Sequence, residues 1–370
     1  MQAPRRAGTT TVARPGTSEF DQRHVQETGQ RWVDLSREVK ASGLLDLQVP
    51  RYLGRLAVNT LMIAGGLAAF FLLGDSWWTL LVAGWMGLCG GQSSFVWHDA
   101  GHKAMFKSKG WSTAMGRIHA NLVNGVSYGW WVNHHNRHHS HPNHLELDPD
   151  IGRRTVIFDH SQYSARSRWG KFVVRHQHVL FFVLLVTEGL KMHRTALQQL
   201  FGGKLKNPLV ESLLLAVHYV LFLGSVFWVL SPVKAVAFVL LQQAVLGFYF
   251  GMLFAPNHKG LPVRTDGESL DWVERQVLTS RNIRPNPVID FLYGGLNYQV
   301  EHHLFPSMPR MHLGKARPIV REFCAKNGIP YYEVGIVASY VDVADFLHDI
   351  SEPIRQGEVP AEDGQLEKAA

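Results

Sequence analysis

Four stretches of this chain, residues 56–74, 77–96, 209–230 and 233–255, are apolar and almost free of charge, unlike the mixed, punctuated sequence around them. Each has about the twenty residues that an α-helix needs to cross the hydrocarbon core of a bilayer. Only Gly74, Asp75 and Ser76 separate the first two, and only Ser231 and Pro232 the last two, so each pair is expected to form a tight helical hairpin. Lysine and arginine are scarce at those turns, Lys234 apart, but plentiful at Arg51 and Arg55, from Lys103 to Arg194 and after Lys259. Because cytoplasmic loops carry the excess of positive charge, both termini and the long middle segment are placed on the cytoplasmic side. The expected fold class is an all-α membrane protein, four transmembrane helices in two hairpins under a cytosolic helical cap.

A fifth apolar stretch, HVLFFVLLVTEGL at residues 178–190, is shorter. Stretches of that length lie along an interface or inside a core more often than they span, so it is expected at the membrane surface. No basic start running straight into an apolar stretch precedes residue 56, and no cleavable leader is expected. Residues 1–20 and 351–370 are expected to be disordered tails, leaving residues 21–350 as one integral-membrane domain.

Composition adds three exclusions. The mean hydropathy is close to zero only because apolar spans are averaged with a charged remainder. The two cysteines, Cys89 and Cys324, are too few for an iron–sulfur cluster and give no disulfide framework. With 37 Lys and Arg against 30 Asp and Glu, the formal net charge of +7 suits anionic headgroups or an acidic protein partner; no nucleic-acid partner is expected.

Against this background the 20 histidines are unevenly placed. HDAGH covers His98 to His102, HNRHH covers His135 to His139, and QVEHH covers Gln299 to His303. Spacings of three and four residues put each set on one helical face, so each box reads as one metal-binding stripe. Imidazole is the commonest protein ligand of zinc, copper and iron, and this density points to more than one ion. His98 follows the second apolar stretch and His258 the fourth, so helices prolonged past the bilayer would carry both into the space where the other boxes lie.

Other residues have plainer readings. Pro142 disfavours helix at His141, and His134 points away from the centre of the stripe, so both are read as surface or supporting residues. Glutamine is a poor ligand beside imidazole, so Gln299 is expected to bind weakly, through a water, or to hold its neighbours. Glu301 falls on a different face and reads as structural. Asp99, Asn136, Asn257, Glu146, Asp148 and Asp150 are candidates to orient the rings. Glu211, His218, Gln242 and Gln243 lie within the third and fourth apolar stretches, where packing roles are favoured over an ion relay. Trp130 and Trp131 abut the second box and are candidates to wall a substrate path, and Arg310, Lys315 and Arg317 are read as headgroup contacts or plain surface charge.

The combination HDAGH, HNRHH and QVEHH, the last inside GGLNYQVEHHLFPSMPR, resembles the membrane fatty-acid desaturases, and within them the front-end, delta-6-like type, whose third box starts with glutamine. The resemblance runs from about residue 32 to residue 333. It implies two iron ions that use O2 and two electrons to remove two hydrogens from an unactivated acyl chain of an acyl-CoA or acyl-lipid. Carried over position by position, it implies His98, His102, His135, His138, His139, His258, His302 and His303 as the catalytic iron ligands, with Gln299 at a position that is histidine in other branches. The family's fused cytochrome b5 motif, HPGG, is not found in this sequence, so a separate electron donor is expected, a ferredoxin or a reductase of iron–sulfur and flavin type. The implied location is multi-pass in a membrane, the inner membrane if the cell is bacterial, with the active site facing the cytoplasm. A related lipid hydroxylase or ketolase and a membrane metal carrier are the alternative readings.

Overall fold

The computed structural model describes residues 19–360 and 366–368, apart from 153–154, 164–165, 203–204 and 269. The tail expected at residues 1–20 therefore lies outside the described residues up to 18. Helix α1 (Glu19–Ala41) leads to α2 (Val49–Leu73) and, across a short turn, to α3 (Thr79–Gly101). Then come α4 (Lys109–Arg117), which runs into a π-helical turn at Ile118–Val123, and α5 (Tyr128–Ser140). The middle segment holds α6 (Arg168–Arg175), α7 (Gln177–Leu184) and α8 (Glu188–Phe201). Two long helices follow, α9 (Pro208–Val229) and α10 (Pro232–His258), both opening on proline, whose missing N–H has no intrahelical partner to lose there.

Among the described residues, α2, α9 and α10 are long and apolar enough to cross a membrane. Helix α3 is not among them, although the sequence marks residues 77–96 as a span. The reason lies in packing: α3 is interrupted by Gly87, Gly90, Gly91, Ser93 and Ser94, all buried. A Cβ at Gly87 would stand 2.8 Å from Val245 Cβ and 2.9 Å from Gln242 O of α10, so this face is stripped of side chains to let two backbones approach. Outward faces fall to α2 and α9, of whose apolar windows only 17% is buried, against 39% for α10.

The turn between α2 and α3 is tied to the turn between α9 and α10: Asp75 accepts from Ser231 N at 2.8 Å and pairs with Lys234 at 3.1 Å. At the opposite ends of the same helices, His98 on α3 and His258 on α10 enter the histidine cluster. The stretch at 178–190 belongs to a helix pair bent by 104°. Its Leu185 packs on Gly251 of α10, where a Cβ would lie 2.5 Å from Leu185 Cδ2, while Val179 and Val183 stay exposed.

Beyond these helices the chain forms α11 (Trp272–Leu278), β1 (Asn282–Ile283), α12 (Pro287–Leu292), α13 (Gln299–Leu304), α14 (Arg310–Lys326), β2 (Glu333–Val334) and α15 (Ile336–Arg355). Val300 and Leu304 of α13 are buried among Val273 and Val277 of α11, Leu313 and Val320 of α14, and Leu35 and Val39 of α1. Burial of this apolar set, at about 25 cal/mol per Å2, holds the third histidine box in place. β1 and β2 pair in parallel. The tail expected from residue 351 is not structureless throughout: α15 continues to Arg355, because Ile350 and Ile354 are buried with Ile157 and Val174, and β3 (Glu358–Pro360) pairs with β4 (Leu366–Lys368).

Candidate metal centre

Each histidine box sits where local sequence fixes its helix. Ser127 caps α5, accepting from Trp130 N at 3.3 Å, and Pro142 beyond Ser140 ends it. Gly294 and Gly295 take positive φ values of 59° and 93°, and a Cβ on Gly294 would lie 2.5 Å from the ring of Phe95 on α3. Only glycine allows that turn and that approach together. It delivers α13 against the end of α3, with Val300 N bonded to Asn282 Oδ1 at 2.9 Å.

Eight histidines from α3, α5, α10, α13 and the residue closing α3 then converge in two groups. His98, His102, His135, His139 and His302 present one nitrogen each within 4.8 Å of one another, and His138, His258 and His303 do the same beside them. In the first group the Nε2 atoms of His98 and His302, His102 and His135, and His139 and His302 are 3.0–3.1 Å apart. In the second, the Nε2 atoms of His138 and His258 are 3.3 Å apart. The boxes were each expected to form a single stripe; instead two of them divide between the groups, His138 from His135 and His139, and His303 from His302.

The opposite ring nitrogens identify which protons are where. His258 Nδ1 lies 2.8 Å from Thr279 O, which can only accept. His303 Nδ1 meets Gln276 Oε1 at 2.9 Å, His138 Nδ1 meets both oxygens of Asp148 at 3.0 and 3.1 Å, and His98 Nδ1 meets Asp99 Oδ1 at 3.1 Å. Each of these rings therefore carries its proton on Nδ1 and turns an Nε2 lone pair inward. His303 Nε2 is buried with no hydrogen-bond partner. Between His138 and His258, 3.3 Å apart, lone pair then faces lone pair, which repels unless a cation lies between them, so the donor set fits metal ions.

Electrostatics agrees. Burial first, and then the neighbouring imidazoles, hold His102, His135, His139, His302 and His303 well below the usual imidazole range, in the neutral form that binds metals. For His138 burial also lowers the pKa, but Asp148 and Asp150 outweigh it and the net shift is upward. Burial pushes Glu301 up to about 7 against bonds from Asn282 and Tyr331. Its oxygens lie 2.8 and 2.7 Å from those two residues, and it belongs to neither histidine group.

Of the other residues singled out, Gln299 is buried and its Nε2 lies 2.8 Å from His258 Nε2. Trp131 stacks on His135 with ring centroids 4.5 Å apart. His134 bonds Asp150 Oδ1 at 2.7 Å, and neither it nor His141 joins a group. Asn136 and Glu146 are exposed. Arg310, read as a headgroup contact or surface charge, is buried and pairs with Asp99 Oδ2 at 2.9 Å; the basic sequence of α14 around it gave no hint of that carboxylate on α3. Arg317 forks onto Glu333 at 2.6 and 2.7 Å. Sequence reasoning missed Gln276, whose Oε1 holds His303 and whose Nε2 donates to His139 O at 3.0 Å. Nothing in the sequence marked it.

A family model described as fatty acid desaturase matches residues 75–335. Among curated proteins, a Delta(5) fatty acid desaturase of Caenorhabditis elegans is 28% identical over 330 residues, 85% of this chain and 72% of the relative. An acyl-lipid (9-3)-desaturase of Physcomitrium patens is 29% identical over 81% of this chain and 59% of its own length. A Delta(6)-fatty-acid desaturase of Caenorhabditis elegans is 27% identical over 83% of this chain and 71% of the relative.

Proposed function

The chain belongs to the fatty acid desaturase family and is an enzyme of that kind, and on that premise we propose that it inserts a cis double bond into the acyl chain of an acyl-CoA or acyl-lipid at a pair of iron ions. The reaction consumes –CH2–CH2–, O2, two electrons and two protons and yields –CH=CH– and two waters. The observation that carries this reading is the convergence of eight inward-facing imidazoles in groups of five and three. Iron bound there supplies the oxygen-derived oxidising power that no side chain has, which breaking an alkyl C–H bond requires.

The protein's own part is to hold and orient. Asp99 and Asp148 fix the rings of His98 and His138, Thr279 O fixes His258, and Gln276 fixes His303. Trp131, stacked on His135, forms a wall that keeps the acyl path dry beside the five-histidine group. The two electrons come from a separate ferredoxin or flavin and iron–sulfur reductase. The Delta(5) and Delta(6) names of the relatives, with glutamine opening the third box, favour insertion toward the carboxyl end of the chain.

For topology we propose that α3 crosses the bilayer together with α2, α9 and α10, sheltered from lipid and so free to be glycine-rich. The link through Asp75 sets both turns at one face and all eight histidines at the other, the cytoplasmic side by the distribution of Lys and Arg. The bent pair around residues 168–201 then rests in the cytoplasmic leaflet with its exposed apolar side in lipid.

The test is expression in a host lacking the activity, with iron and a competent donor present, and location of new double bonds by mass spectrometry. New alkenes that vanish with His302→Ala are the expected result. An unchanged lipid profile sinks the reading, and new alcohols in place of alkenes would transfer the chain to the hydroxylase branch.

A further inference from the structure

Gln299 stands in the three-histidine group where a fourth imidazole would fit, and its amide has two possible faces: an oxygen that could bind a metal or an NH2 that could not. The hydrogen bonds around it decide which face turns inward. Asn257, fully buried, sends its NH2 to Leu296 O at 3.2 Å and to Gln299 Oε1 at 3.1 Å. Leu296 O can only accept, so the Asn257 amide cannot turn over without setting oxygen against oxygen. With Asn257 so held, turning Gln299 over would put two NH2 groups face to face. That leaves its Nε2 turned inward, 2.8 Å from His258 Nε2. The carbonyl of Leu296, unable to donate, thus pins Asn257 and through it Gln299.

Building on the metal reading above, we infer that Gln299 is not a ligand but a fixed hydrogen-bond donor facing the three-histidine position, with Asn257 as the residue that sets its orientation. That position is then held by three protein ligands beside a neighbour held by five. The Gln299 NH2 is aimed at whatever exchangeable acceptor completes it. At 3% exposure Gln299 is screened from solvent, where a hydrogen bond is worth most.

The experiment uses purified full-length protein in detergent, iron counted per chain, and azide as the probe, titrated by its iron charge-transfer absorption. Gln299→Met, close in size and unable to donate, is expected to keep the wild-type iron count and to bind azide about tenfold more weakly, the worth of one buried hydrogen bond to a charged acceptor. Asn257→Leu should reproduce the azide effect with iron retained, because it frees the amide to turn. Loss of one iron from Gln299→Met overturns the inference and makes the residue a ligand, and so does unchanged azide affinity. If Gln299→Met fails to fold, Gln299→Leu serves in its place and is read the same way. Wild-type protein that takes up no iron would be a different failure, that of the metal reading itself.

Discussion

Glu211 lies on α9, yet its carboxylate is spent on α5. Its Oε2 accepts from Ser127 Oγ at 2.6 Å and Asn121 Nδ2 at 3.1 Å, and its Oε1 from Gly129 N at 3.1 Å. Ser127 is the residue that caps α5, and Gly129 N is one of that helix's free amides. The side chain is only 2% exposed, so Glu211→Leu strands three donors in an apolar setting and removes a negative group from the positive end of the helix. Each bond to a carboxylate contributes roughly 1.5–3 kcal/mol and the helix terminus about 1 kcal/mol. Such terms overlap, and a joint loss of about 4 kcal/mol is the working figure. Because α5 carries His135, His138 and His139, the loss should appear as local opening of that helix. Amide hydrogen exchange across residues 130–139 is expected to speed up by about a thousandfold, while α9 and α10 keep their protection. Iron content should fall in step. Glu211→Gln, which keeps the shape and can still accept from Gly129 while its NH2 faces the Ser127 hydroxyl, should lose roughly a third as much. Full protection of α5 with full iron in Glu211→Leu would refute the reasoning, leaving the carboxylate as mere packing.

Three other outcomes are expected. Chelating the iron should lower the melting midpoint by at least about 5 °C, since ions that bind only the folded chain stabilise it by mass action and relieve the facing lone pairs; an unchanged midpoint in calorimetry would contradict that. Asp148→Ala, which takes from His138 its acceptor and from Asn143 N a 2.8 Å partner, should weaken iron binding at the three-histidine position about 10–100-fold, seen as loss of one iron per chain with the other retained. Arg310→Met leaves the buried Asp99 without its cation and should cost about 3–5 kcal/mol. The double variant with Asp99→Asn should recover part of it in a denaturation series, and no recovery would mean that the pair at 2.9 Å does not act as one.

The parts of this fold that can be read from sequence are those set by local pattern, and the parts that cannot are set by what lies opposite. Apolar runs and the prolines at 208 and 232 mark α9 and α10 to within a few residues. The glycines and serines of α3 sit inside a stretch that reads as a span like the others, and what they do appears only once α10 is seen against them. Asp99 and Arg310 are 211 positions apart in sequence, and no spacing rule connects them. Gln276 is equally silent, since its value comes from touching His303 with one atom and the backbone of His139 with the other.

The division of the histidines is different, because it follows from helix geometry that the sequence already contains. At 3.6 residues per turn, positions i and i+4 differ by about 40° around the axis, whereas i+3 lies about 60° to the other side of i. His135 and His139 should therefore share one group and His138 should turn toward another, which is the arrangement found. His98 and His102, also four apart, fall together in the five-histidine group. Applied to α13, the same rule puts position 299 with His303 and sends His302 across, and Gln299 does lie against His258 of the three-histidine group. Position 299 is thus the fourth place of that group by geometry, and the glutamine there is what makes the two groups unequal. A histidine at 299 would bring an inward-facing nitrogen to a place now filled by an amide NH2, so the inequality between the two positions is written in one residue of the third box.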